Sequence, residues 1–235
     1  MNDKPGLDKY GYLVCFGFII GPVIMGSIFF ACAGTTDLDQ AWIFFIMIQV
    51  FYIIGTVVMA VHNPGLMNIR GARRKLKNTK SWDNTILPIY GAFGFYIQQA
   101  LMGLDIGRFE WSLLDKSWLI PGIVICTISF IINYWAMYVN THFESNVRIQ
   151  TDRGHKVIQN GPYRLIRHPG YTSGILFHMS TPLIVGSFYG LIPGLLATIT
   201  LIIRTSLEDR TLQNELEGYK EYAQKTRYRL IPWIW

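Results

Sequence analysis

The sequence predicts an all-α, polytopic membrane protein: a bundle of about six spans that includes a C-terminal helical hairpin, with interfacial amphipathic helices beside it. Three observations carry this. Of 235 residues, 51% are hydrophobic and only 15% charged, against about a quarter charged in an ordinary soluble domain. The charges also leave long gaps. Tyr10–Gly34, Gln40–Val61, Asn84–Leu104 and Ser117–Thr141 hold none, and neither does Tyr171–Ile203 with His178 counted neutral. Stretches of about 20 apolar residues match the roughly 30 Å of hydrocarbon that a helix must cross. Finally, 19 of the 21 Lys and Arg residues fall in segments that alternate to one side, so the positive-inside rule places both termini in the cytoplasm. The net charge of +6 is then a topology signal, and a nucleic-acid partner, a disordered chain and a disulfide scaffold are set aside.

In chain order, the first span is expected at 10–33. Met1–Lys9 is mixed in charge and the apolar run after it is too long for a signal-peptide core, which reads as a retained helix. The second span covers 40–62. Loop Asn63–Trp82 has six basic and no acidic residues, with Arg73, Arg74, Lys75 and Lys77 clustered, and reads as a topology signal touching anionic membrane lipids. Spans at 84–104 and 118–141 follow. Tyr171–Ile203 is too long for one span, since its 33 residues would run about 50 Å as a helix. Gly186-Ser187-Phe188-Tyr189-Gly190, between Pro182 and Pro193, reads as the turn of a tight hairpin of two shorter spans. Ser206–Thr226 fits an amphipathic interfacial helix, and Tyr228–Trp235 an aromatic belt with basic anchors. Cys15, Cys32 and Cys126 lie inside apolar spans without CxxC or Cys/His clustering, which suggests packing residues and no metal site. The chain divides into a four-span region, 1–141, and a C-terminal core, 142–235.

Ionisable groups at a membrane boundary are costly and tend to be functional. Here Gln150, His155, Tyr163, Arg164, Arg167, His168 and Tyr171 precede the hairpin, and Arg204, Glu208 and Asp209 follow it. A hairpin that returns to its starting face brings both groups to one depth, where they can form a single polar pocket. Pro169 should begin the hairpin's first helix with His168 at the cap, so the free N–H groups there would suit an anion such as a cofactor carboxylate. Lipid-headgroup anchoring is the plainer reading of the same residues. Arg204 and Glu208, four apart, share a face as a salt bridge or as separate ligands for a substrate carboxylate and a cation. Asp209 points about 100° away and is the weaker candidate.

His155-Lys156-Val157-Ile158, Gly161-Pro162-Tyr163, Arg167-His168-Pro169-Gly170-Tyr171, Arg204 with Glu208-Asp209, and Gly218-Tyr219-x-x-Tyr222 ending in Arg229-Leu230-Ile231-Pro232 resemble the isoprenylcysteine carboxyl methyltransferase family in order and spacing. The resemblance covers roughly Gln150–Trp235. It implies an integral-membrane methyltransferase that uses S-adenosyl-L-methionine, enclosed between C-terminal spans and interfacial segments, with a lipid-embedded methyl acceptor. Carried over by position, Gln150, His155, Lys156, Val157, Ile158, Tyr163, His168, Pro169, Gly170, Tyr171 and Glu208 would contact the cofactor. Arg204 would face the acceptor, and Arg167 would lie near the transferred methyl or the acceptor carboxylate. Phospholipid N-methyltransferases and membrane sterol reductases carry similar tails. Amine methylation, a nicotinamide-dependent reductase and a non-enzymatic membrane protein are the competing readings.

Overall fold

The computed structural model describes residues 6–235, and these form an all-helical bundle. Helix α1 (Lys9–Ala33) starts where the Asp8 carboxylate accepts the N–H groups of Tyr10 and Gly11, and it stops at Gly34, whose φ of 71° favours a residue without Cβ. Helix α2 (Asp39–His62) ends at Asn63, which in turn caps the short α3 (Pro64–Gly71) through its side chain. A helical run then extends from Asp83 to Phe109. It comprises α4 (Asp83–Gly91), π turns over Ala92–Ile97, α5 (Gln98–Gly103) and π turns over Leu104–Phe109. Pro88 removes a helical donor one turn before the first widening. Next come α6 (Leu119–Val139), a long loop with 3₁₀ turns at Thr151–Arg153 and Gly161–Arg164, and the hairpin α7 (Pro169–Val185) and α8 (Leu191–Glu215), followed by α9 (Tyr219–Lys225).

Among the described residues four helices are long and apolar enough to cross a membrane: α1, α2, the segment Lys116–Val139 and α8. Their outer faces carry exposed Leu13, Phe16, Ile54, Val57, Ile131 and Ile192, the arrangement expected when hydrocarbon is the solvent. Phe29, Phe44, Ile48, Met102, Cys126 and Ile184, all buried, form the core between α1, α2, α5, α6 and α7. The three cysteines are free.

The hairpin turns where the glycine-bounded segment predicts, with Gly186 at φ 93°. Its second arm differs from expectation. Helix α8 does not stop near residue 203 but continues to Glu215, and Gly218 at φ 77° separates it from α9, so Ser206–Thr226 is not one interfacial helix. Inside the bundle His178 is fully buried and its partners account for both ring nitrogens. Gln98 Oε1 lies 3.0 Å from Nδ1 and Tyr90 Oη 3.0 Å from Nε2. A Gln oxygen can only accept, so Nδ1 carries the proton and Tyr90 donates to Nε2. Gln98 Nε2 donates to the carbonyls of His178 and Gly190, which leaves no donor of this buried amide idle. At the far end Asp105, also buried, accepts from Ser112 and Ser187 and ties the hairpin turn to the preceding loop.

Small residues let α1 approach α5: a Cβ on Gly103 would press on the Phe29 carbonyl, and one on Gly107 on Ala33. Gly103→Val should therefore overpack this crossing, costing about 1–3 kcal/mol. A lowered melting temperature of the detergent-purified protein is expected, and an unchanged one would show that the crossing is loose.

Candidate functional site

The loops rich in basic residues gather at one end of the bundle. Asp8 and Gly6 bond Asn68, Arg70 bonds the Phe143 carbonyl, Lys80 pairs with Glu215, and Asp83 pairs with Arg204. At this end lies a cavity of about 450 Å³, lined by the thirteen residues to which the resemblance gives a role, Gln150, His155 to Ile158, Tyr163, Arg167 to Tyr171, Arg204 and Glu208, while Arg164 is exposed and Asp209 is buried outside it. Its other wall is apolar and comes from the bundle, including Phe18, Phe95, Phe130, Phe177 and Leu201.

Asp209, ranked below Glu208 on helical phase, is the node of the site. It is fully buried and receives six donors. Arg167 grips it with Nε at 2.7 Å and Nη2 at 3.0 Å, and His168 Nε2, Gln213 Nε2, Tyr219 Oη and Arg229 Nε lie at 3.1, 2.8, 3.1 and 2.9 Å. Arg167 also donates from Nη1 to the carbonyls of Thr226 and Arg227. Four of its five N–H bonds are thereby used inside the fold. Burial works against the Arg167 charge, but the Asp209 carboxylate outweighs it and holds the guanidinium pKa above its usual value. The tail is correspondingly more than an aromatic belt: the N–H groups of Arg167 and His168 donate to the carbonyls of Tyr228 and Arg229, and Thr172 Oγ1 to that of Leu230. Residues 226–230 form a strap across the loop that precedes α7.

That strap alters the helix N-terminus. The His168 N–H is taken by Arg229, and those of Tyr171 and Thr172 by the His168 carbonyl, so the expected row of free donors at α7 is mostly occupied.

Arg204 is placed differently from expectation as well. It does not bridge to Glu208. Its Nε and Nη2 meet Asp83 at 2.7 and 3.1 Å, Nη2 reaches the Ser145 carbonyl at 2.6 Å, and its guanidinium lies 5.3 Å from the Tyr171 ring centre. Asp83 in turn accepts the Val147 N–H, so this buried pair ties α4 and α8 to the 142–168 loop. Glu208 instead accepts a hydrogen bond from the Tyr171 hydroxyl and has no ion pair among the described residues. Asp83 was missed in the sequence; the one available signal was an acid directly after a basic loop, at the start of a span.

The loop itself is held by a buried carboxylate. Glu144 takes Arg148 in a bidentate grip at 2.7 and 2.9 Å, and Arg148 extends to Asp152 at 2.7 Å. Gln150, buried, accepts from His142 Nδ1 at 3.0 Å and donates to the His142 carbonyl, while its own N–H points at His155 Nδ1, 3.3 Å away. His155 therefore keeps its proton on Nε2. Burial pushes its pKa down to about 4, aided by His142 and the Arg148 and Arg153 cations, and burial lowers that of His142 too. Tyr163 receives Asn140 at 2.9 Å, and its carbonyl accepts the Tyr222 hydroxyl at 2.7 Å. Among the described residues no cluster of His, Cys, Asp or Glu is arranged to hold a metal ion.

With this geometry in view, the comparisons are specific. Residues 117–217, from just before α6 to just past α8, match the family described as Phospholipid methyltransferase. Two relatives from rice, Oryza sativa subsp. indica and subsp. japonica, each named probable protein-S-isoprenylcysteine O-methyltransferase, are 28% identical over 131 residues. The alignment covers 52% of this chain and 65% of each relative. These matches bear out the resemblance: they support the membrane methyltransferase superfamily and, within it, the isoprenylcysteine carboxyl methyltransferase family.

Two predictions follow from the pairing. Asp209→Asn leaves Arg167 buried without its counter-charge, a change worth about 3–5 kcal/mol for buried pairs, and should sharply lower the melting temperature. A variant as stable as the parent would remove Asp209 from the centre of the fold. The His155 pKa, about 4 when folded against about 6.5 unfolded, means that the unfolded chain binds more protons between these values. Stability should rise with pH across that window and fall on acidification from 7 toward 4. Melting curves of His155→Gln should show a shallower slope over this range, and an unaltered slope would assign the effect elsewhere.

Proposed function

We propose that this protein is an integral-membrane methyltransferase that uses S-adenosyl-L-methionine and methylates the carboxylate of a lipid-borne, prenylcysteine-like acceptor, with its site on the cytoplasmic side. The observation that carries the reading is the cavity, polar where the thirteen motif residues converge and aromatic where the spans contribute. Its volume falls within the roughly 300–1,000 Å³ of small-molecule sites. The donor set fits the cofactor: Glu208, with no ion pair among the described residues, can answer a positive group, and Lys156, likewise without one, answers a carboxylate. Bound there, the cofactor would supply an electrophilic sulfonium methyl.

The remaining work falls to the chain. A carboxylate acceptor, with a reference pKa near 4, is already ionised at neutral pH, so no side chain needs to remove a proton. Such a step neutralises charge and is favoured where water is kept out, which the aromatic wall provides. Because Asp209 and the strap carbonyls occupy Arg167, we assign it positioning of His168 rather than contact with the acceptor. Arg204, neutralised by Asp83, supports the Tyr171 ring and so presents Tyr171 to Glu208. The 1–141 region then supplies most of the aromatic wall, joined by Phe177 of α7, and 142–235 supplies the cofactor end.

The description Phospholipid methyltransferase over residues 117–217 favours a second reading, methylation of a lipid amine. An ammonium must first lose a proton, so that activity would climb with pH where the carboxyl reaction would not. Incubating purified protein with methyl-labelled cofactor and a lipid extract separates the two, since an ester releases its label in base and a methylamine does not. Base-labile label in the lipid fraction is expected; no label together with no S-adenosylhomocysteine binding would reject the enzyme reading. Glu208→Gln keeps the acceptor atom for Tyr171 but removes the charge, and calorimetry should show S-adenosylhomocysteine binding weakened tenfold or more at an unchanged melting temperature.

A further inference from the structure

Of the arginines that line the cavity, Arg148, Arg167 and Arg204 are each engaged by a carboxylate, Glu144 and Asp152, Asp209, and Asp83 in turn, while Arg73, which is exposed, has no ion pair among the described residues. Arg70, on the interfacial helix α3, lines the same cavity and has no ion pair among the described residues. It is held in place without being neutralised. The guanidinium lies 5.6 Å from the ring centres of both Phe18 and Phe143, Nη1 donates to the Phe143 carbonyl at 2.8 Å, and Nε is buried with no partner. A desolvated cation with an idle donor is costly unless an anion completes it. Desolvation draws its pKa down to about 10, which still leaves it charged at neutral pH.

Two further donors surround this position. Tyr52 of α2 and Tyr134 of α6 both line the cavity, and neither hydroxyl has a hydrogen-bond partner among the described residues. The placement of Tyr134 depends on Gly55, because a Cβ there would fall inside the phenol ring. Rings on different elements thus hold one guanidinium and two hydroxyls beside the aromatic wall of the cavity.

We infer that Arg70, with the hydroxyls of Tyr52 and Tyr134, receives the anionic head of the methyl acceptor, and that the acceptor is an amphiphile with a terminal carboxylate whose apolar part lies along the aromatic wall. This rests on the methyltransferase reading above and moves the acceptor contact from Arg204 to Arg70. A guanidinium Nε and Nη edge suits a two-oxygen anion, and phenol donors can add to it without adding charge. The carboxylate head follows from the proposed reaction, which requires one, and phosphate enters the test as the competing anion.

The test is binding in detergent, which needs no turnover. S-farnesyl-N-acetylcysteine and its uncharged carboxamide are titrated into wild type, Arg70→Gln, Arg70→Lys and the Tyr52→Phe/Tyr134→Phe double variant, with dodecyl phosphate as the competing anion. Wild type should favour the carboxylate over the carboxamide by tenfold or more. Arg70→Gln should erase that preference while S-adenosylhomocysteine affinity stays within twofold, Arg70→Lys should keep part of it, and the double variant should reduce it. Should Arg70→Gln fail to fold, the lysine and double-phenylalanine variants carry the same comparison. Equal binding of the two ligands by wild type, a preference that survives in every variant, or an Arg70-dependent preference for dodecyl phosphate over the carboxylate would each overturn the assignment. A methyl-transfer assay on wild type runs alongside. Carboxylate preference without transfer counts against the enzyme reading alone, and transfer with an Arg70-independent preference counts against Arg70 alone.

Discussion

One buried carboxylate organises the chemistry-bearing end of this protein. Asp209 sits on α8 with no exposure and takes donors from the loop before α7, from α8 itself, from α9 and from the tail. A bare carboxylate at that depth would be prohibitive, and two guanidinium groups, an amide, a phenol and an imidazole together make it tolerable. Because those donors come from segments distant in sequence, satisfying one charge fixes the relative position of four pieces of chain. His168 and the start of α7 are set by this node, and with them the wall of the cavity.

The same logic separates charges that hold the fold from charges left for ligands. Asp83 with Arg204, Glu144 with Arg148 and Asp209 with Arg167 are neutral in sum and buried, so they act as struts. Glu208 and Arg70 stand outside these pairs, one on the hairpin and one on an N-terminal interfacial helix. With Glu208 and Arg70 on separate parts of the chain, the site is suited to bringing a cation and an anion together and letting both charges vanish.

Much of this was legible in the sequence because it is local. Gly186 and the prolines around it announce the hairpin through backbone restriction, and the thirteen motif residues meet in one cavity because the hairpin returns them to a common depth. What could not be read is non-local or phase-dependent. The Arg204–Asp83 pair joins residues 121 apart, and no periodicity encodes it. Asp209 was ranked low because one functional face was assumed for the helix, whereas α8 uses two, turning Glu208 to the cavity and Asp209 to the strap. The π turns between Ala92 and Ile97 leave no compositional trace, yet they accompany the close approach of Gly94 to the His178 ring. The tail looked like an interfacial anchor because aromatic and basic residues serve equally well there and in a strap.

The strap also bears on how the site comes together. Until residues 226–230 lie across the loop before α7, Arg167 has its carboxylate but not the carbonyls of Thr226 and Arg227, and the Asp209 carboxylate lacks Arg229. The wall of the cavity is complete only with the strap in place. Packing of the spans and completion of the site thus rest on different contacts, the second closing what the first leaves open.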